Sequence, residues 1–339
     1  MHLRLSAATA LLICALGCGD QGGRAGTPVL PIPTAPTGSG PTATLRVVSS
    51  LTDQPVSGAS TTGASVRSTR SDGDGIVTLE ASGPGRYAVS VAAAGFVTRQ
   101  TRVTIPGNDS LLDLIPGSFD LVAFDQMFRG VTTGGRLAKY LAAPALVVQR
   151  TGLLWASSPD DRYLAENEQW TDAEIDALIA DLTFGLRTIS AGVFPAFSTI
   201  RIEQAAAGAM VTVPQAGAIV VARYRGLRGP TTGDRIGGYG KMTMDATGVI
   251  HGGLVMLDRD GELQSAAPRP LRVHELGHTM GLSHVTTRAS FMQVLIEPND
   301  FDKEAFRIAA RRPHGNRSPD IDRVDFTLNT ASVADGRPR

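Results

Sequence analysis

The sequence predicts an α+β domain preceded by a small all-β sandwich, on three observations. At 339 residues the chain exceeds what one small domain needs. Residues 43–116 consist of short alternating, β-branched runs broken by glycines. Beyond residue 117, strand-like runs mix with long helical stripes.

Thirty-two basic residues balance thirty-two acidic ones. Without a net field to attract polyanions, the chain is expected to bind no nucleic acid. It is also expected to work as a monomer. Both cysteines, Cys14 and Cys18, lie in the first eighteen residues. Everything downstream must therefore fold without disulfides, cysteine-ligated metal or a thiol nucleophile.

The N-terminus reads as an export signal: Arg4, an uncharged and mostly apolar run from Leu5 to Leu16, then Gly17, Cys18 and Gly19. About twelve residues are too few to span a bilayer. Ala15-Leu16-Gly17-Cys18 resembles a bacterial lipobox, which implies cleavage before Cys18 and its lipidation. Residues 1–18 are then a lipoprotein-type signal peptide, and the chain meets the membrane only through its lipid, at the cell surface or outer membrane. Otherwise it is secreted in soluble form. Residues 19–42, dominated by Gly, Pro and Thr, read as an extended linker. The uncharged stretch Ala205–Ala222 is broken by Pro214, Gln215 and Gly217, and reads as two short buried strands joined by a turn.

Between residues 43 and 116, strands are expected at Thr44–Val48, Ile76–Leu79, Tyr87–Val91 and Val97–Ile105. Pro55-Val56-Ser57-Gly58-Ala59, Asp72-Gly73-Asp74-Gly75-Ile76 and Gly95-Phe96 resemble the carboxypeptidase-regulatory-like, transthyretin-type sandwich. Asp72-Gly73-Asp74-Gly75 could open a calcium loop, but its twelfth position is Gly83, not a bidentate glutamate, so a hairpin turn is expected.

Residues 117–339 form the second domain. Ile175, Leu178, Ile179, Leu182 and Leu186 mark a helical stripe over 171–188, with Thr171 and Glu174 at capping-box spacing. Strands are expected at Ala145–Gln149, Thr199–Glu203, Ala218–Tyr224 and Gly252–Leu257. Ser118–Ala143 reads either as the start of this domain or as a short inhibitory segment. The basic cluster around His314 is expected to be a solvated helix end, paired with Asp320 and Asp322.

The chemistry lies in His274-Glu275-Leu276-Gly277-His278-Thr279-Met280-Gly281-Leu282-Ser283-His284. Residues four apart on a helix are rotated by ~400°, so His274 and His278 project from one face and can bind a single ion. Glu275 is placed to reach a water on that ion. Gly281 can take φ > 0 and turn the chain so that His284 completes a three-nitrogen site. Three neutral imidazoles with an open position suit catalytic Zn2+.

The segment is similar to the extended zinc motif HExxHxxGxxH of the metzincin metallopeptidases. The resemblance implies a mixed twisted sheet with a backing helix at 171–188, an edge strand at Gly252–Leu257 and a C-terminal helix at Phe301–Arg311. It also implies a methionine turn at Met292, which supports the metal from below, and zinc-dependent hydrolysis of peptide or protein substrates with Glu275 as general base. Gln293 stands where many metzincins have tyrosine. A matrixin-type second zinc is not expected, since only His2, His251 and His314 remain. The same metal chemistry could serve a non-peptide amide or ester, or the site could be vestigial on a binding module.

Overall fold

The computed structural model describes residues 40–130, 134–150, 153–156, 166–167, 169–206, 210–228, 234–264 and 268–328. The export signal, Cys18, His2 and nearly all of the 19–42 linker lie outside them. The described residues cluster as one compact unit. The architecture is mixed α+β, as expected.

Seven strands form the N-terminal part: β1 (Thr42–Ser49), β2 (Ser60–Thr62), β3 (Val66–Ser68), β4 (Ile76–Ala81), β5 (Gly85–Ala92), β6 (Arg99–Ile105) and β7 (Gly107–Leu114). They make a four-stranded sheet, β3-β4-β1-β7, and a three-stranded sheet, β2-β5-β6. Strand alternation does what period two requires: Leu45, Val47, Val77, Leu79, Val89, Val91, Val103, Leu112 and Leu114 share one core. Asp72-Gly73-Asp74-Gly75 is a turn. Asp72 Oδ1 accepts from the N–H groups of Asp74 and Ile76, and Gly75 takes φ 76°.

The remainder contains α1 (Leu121–Arg129), β8 (Ala145–Gln149), β9 (Leu153–Ala156), β10 (Glu166–Asn167), α2 (Asp172–Ile189), β11 (Ile200–Glu203), β12 (Met210–Val213), β13 (Ala218–Arg225), β14 (Gly238–Met244), β15 (Ile250–Asp258), α3 (Arg259–Gln264), α4 (Arg269–Thr279) and α5 (Asp300–Ala310). The main sheet runs β11-β8-β13-β15-β14, with β10 pairing β13. Strands β11, β8, β13 and β15 are parallel, and β14 is antiparallel. Strands β12 and β13 lie where two buried strands were expected within Ala205–Ala222, but only β13 is buried as expected: in β12 Thr212 is exposed, and β12 pairs β9 while β13 pairs β8 and β15. Among the described residues no helix is long and apolar enough to cross a membrane.

The expected edge strand at Gly252–Leu257 is corrected here. This segment belongs to β15, which lies between β13 and β14. Gly252 to Asp258 are all buried, as suits a strand covered on both faces. Among the described residues the sheet ends on this side at β14, whose sequence Gly-Tyr-Gly-Lys-Met-Thr-Met is half-buried throughout. Its glycines read locally as strand breakers, and for that reason the sequence alone does not reveal it.

Helix α2 is capped as the sequence foretells. Thr171 Oγ1 accepts from the Glu174 N–H, and Glu174 Oε2 accepts from the Thr171 N–H. Its Gly185 lets α4 approach closely, since a Cβ there would sit 2.9 Å from Leu276 Cδ2 and 3.2 Å from Val273 Cγ2. Arg272, two residues before His274, is buried and bonded to Asp181 of α2 at 2.9 Å and to Glu262 of α3 at 2.7 Å. Those contacts fix the rotation of α4.

Arg312 also departs from expectation. It is 1% exposed, not solvated, and is bonded to Asp320 at 2.7 Å and to Asp113 of β7. Arg99 of β6 joins the same cluster through Asp113 at 3.1 Å and Asp322 at 2.9 Å. Asn316 Nδ2 donates to both Asp320 and Asp322. The chain then bonds to β6 through its backbone, Gln100 N–H to Asp320 O and Leu328 N–H to Arg102 O. The expected pairing with Asp320 is present, but a run of Arg, Pro, His and Gly looks solvated locally because the remaining partners that bury it, Asp113 and Arg99, come from distant strands.

Burial pushes Asp113 up, but the guanidiniums of Arg312 and Arg99 more than offset it and hold the carboxyl at about 2. An unfolded aspartate titrates near ~3.9. The resulting stabilisation is fully present above that value and is lost as pH falls through about 2. Acid titration followed by circular dichroism should therefore show a stability loss beginning below about pH 4, and Arg312→Met should move unfolding to higher pH.

Candidate metal centre

Helix α4 carries His274, Glu275 and His278, and its end creates the third position. The Gly281 N–H donates to His278 O at 3.2 Å and the Leu282 N–H to Gly277 O at 3.0 Å, a Schellman closure with Gly281 at φ 93°. A Cβ on Gly281 would meet Ala138 Cβ at 3.0 Å. Gly281→Ala is expected to cost about 1–2 kcal/mol from the left-handed backbone alone, measurable as a lower urea midpoint.

This closure serves the ligands directly. Leu282 O accepts from His278 Nδ1 at 2.9 Å, and Phe291 O accepts from His274 Nδ1 at 2.8 Å. A carbonyl can only accept, so each ring carries its proton on Nδ1 and offers Nε2 as a lone pair. His274 Nε2 lies 3.2 Å from His284 Nε2, and one ligand atom from each of the three rings lies within 4.8 Å of the others. Nitrogens bound tetrahedrally at ~2.0–2.1 Å to one ion sit roughly 3.3 Å apart; the His274–His284 pair has that spacing, and the three rings could hold a metal ion. Burial lowers the His274 pKa. Burial, then the neighbouring His274, pushes His278 down to about 4. Both imidazoles are neutral at physiological pH, as ligands must be.

The carboxyl of Glu275 is buried against β14, where a Cβ on Gly238 would lie 2.6 Å from Glu275 Cγ. A Cβ on Gly240 would lie 2.2 Å from Glu275 O and 2.8 Å from His278 Cβ. The two glycines thus bring the edge strand onto the helix. Burial pushes Glu275 up to about 8, against the lowering effect of the Gly240 N–H that bonds it.

Met292 is fully buried, and its sulfur would lie 2.8 Å from a Cβ on Gly277. Glycine at 277 is what lets the methionine segment pack against the helix. That segment is held by buried Asp302 of α5, whose carboxylate accepts from Ser290 Oγ at 2.7 Å and from the Phe291 N–H at 3.0 Å. Since Phe291 O orients His274, Asp302 reaches the site through a single residue, Phe291.

The structure therefore brings together the three histidines, and places Glu275, Gly281 and Met292 around them. His251 is exposed beside Asp245, at 3.2 Å, and His314 lies against Arg323; neither joins the cluster. Sequence reasoning did not find Gly238, Gly240, Ser290 or Asp302. The Asn299–Asp302 spacing, that of a capping box, is the local signal that could have pointed to Asp302.

No family model matches the chain, and no curated protein matches it. Among solved structures, the "Crystal structure of group B streptococcus pilus 2b backbone protein" is similar at 11% identity and a TM-score of 0.20. The match covers 23% of this chain and 42% of that one, too slight a likeness to carry an argument.

Proposed function

We propose that the chain is a zinc-dependent endopeptidase with a metzincin-like catalytic domain. The observation that carries this reading is the convergence of three imidazoles, with a buried carboxyl on the helix that bears two of them. His274, His278 and His284 would hold the ion. When bound, zinc supplies Lewis acidity, bringing the pKa of water towards about 7 and taking up charge that develops on a carbonyl oxygen.

The chain's own residues do the rest. Glu275 accepts the proton of the attacking water and returns it to the leaving amine, so no protein nucleophile is needed. Burial raises the Glu275 pKa, which favours return of the proton to the leaving amine. Helix α2 backs α4, and among the described residues β14 lies at one end of the sheet with β15 as its neighbour. An extended peptide added along β14 would run beside Glu275 and His278, which favours internal cleavage. Val294, Leu295 and Ile296 expose apolar side chains just after Met292, a surface suited to apolar peptide side chains. Export and a lipid anchor at Cys18 belong to the same proposal.

The test is metal analysis of the purified protein combined with digestion of a peptide library and of small amide and ester substrates. The expected result is one zinc per chain and internal peptide cleavage that a chelator abolishes. Absence of zinc, or turnover of small esters alone, would reject the peptidase reading.

A further inference from the structure

We propose that Gln126 of α1 is a positioning residue for the third ligand, His284, and that α1 is a working part of the metal centre; this rests on the zinc reading above. The three histidines are not equally supported. His274 and His278 each have a carbonyl on Nδ1, and are buried or half-buried. His284 is exposed, and among the described residues no carbonyl lies on its Nδ1. Its ring cannot be oriented in the way the other two are. Its direction has to come from its backbone.

That backbone is bracketed on both sides by one turn of α1. Before His284, the Ser283 N–H donates to Met127 O at 2.8 Å, using a carbonyl left free near the end of α1. Gly130 at the helix end makes room, since a Cβ there would sit 3.3 Å from Ser283 Cβ. After His284, one side-chain amide gathers the strand. Gln126 Oε1 accepts from the Thr286 N–H at 2.9 Å, the Thr287 N–H at 3.3 Å and Thr287 Oγ1 at 3.2 Å, while Gln126 Nε2 donates to Thr286 Oγ1 at 3.1 Å.

Helix α1 is itself immobilised. Asp120 Oδ1 caps its first turn by accepting from the Ala123 N–H at 3.0 Å, and Asp120 Oδ2 pairs with Arg288 Nη1 at 3.4 Å. Phe124 and Phe128 stack at 4.8 Å, and Phe128 meets Phe306 of α5 edge-on at 6.2 Å. A rigid element thus holds the residues on either side of the least supported ligand. Removing outer partners of metal ligands weakens metal binding by about 10–100-fold, and Gln126 supplies this support through the main chain instead of through the ring. The segment 118–143, which could have been inhibitory, is on this reading required for the site.

The experiment compares zinc dissociation constants of wild type, Gln126→Ala, Gln126→Met and Gln126→Glu, by competition with a chromophoric chelator. Visible spectra of the cobalt-loaded proteins and thermal midpoints of the zinc-free proteins accompany it. Ala and Met are expected to raise the dissociation constant about tenfold and to alter the cobalt spectrum, with zinc-free midpoints close to wild type. Met keeps the side chain's bulk, so it serves if Ala folds poorly. Glu keeps an acceptor for both N–H groups, and the Thr286 hydroxyl can donate to it, so Glu is expected to bind zinc within about twofold of wild type. Zinc binding by Ala and Met indistinguishable from wild type would overturn the inference and leave the peptidase reading intact. Equal weakening in all three variants would also overturn it. Failure of wild type itself to bind zinc would remove both.

Discussion

Glu275→Gln is expected to lower peptide hydrolysis by about 10²–10⁴-fold while one zinc per chain is retained. The substitution keeps the volume of a side chain pressed against Gly238 and keeps an oxygen to accept from the Gly240 N–H. What it removes is the ability to take a proton and give it back. Metal content and urea stability measured beside the rate separate this loss from disruption of the site. A rate within about fivefold of wild type would rule out Glu275 as general base.

The second large effect is on stability. Arg312→Met is expected to cost about 3–5 kcal/mol, because it strips a guanidinium from a cluster that water does not reach. Arg312 bonds Asp320 at both oxygens, at 2.7 Å each, and also bonds Asp113. Asp320 would then lose both guanidinium bonds and keep the Asn316 amide, at 3.1 Å. Since Asp113 and Arg99 stand on β7 and β6, the cluster ties the N-terminal strands to the C-terminal segment. Chemical unfolding monitored by both tryptophan fluorescence and circular dichroism is the measurement. A loss under about 1 kcal/mol would show the cluster to be replaceable by packing. The same ties predict that a chain begun at residue 117 unfolds more readily than the full chain.

Much of the local structure was legible in advance. The Thr171–Glu174 capping box, the stripe Ile175 to Leu186 and the alternation through Leu45 and Val47 are signals carried by neighbours in sequence, and they appear as read. The histidine spacing and the need for a left-handed residue at Gly281 are of the same kind, since helix geometry and one dihedral angle decide them. The edge strand was misassigned for an equally physical reason. Whether a strand lies inside a sheet or at its border depends on what pairs with its far side, and the glycines of β14 make sense only against Glu275 and His278.

By itself, the sequence determined which residues could meet a metal and which helix would carry two of them, because those are properties of a single turn of backbone. Only the tertiary structure decided that Asp302 and Gln126 support the site, that β14 closes on Glu275, and that Arg312 is buried. Each of those contacts joins residues brought together from different elements, where burial and pairing are set by the folded surroundings and not by the local chain.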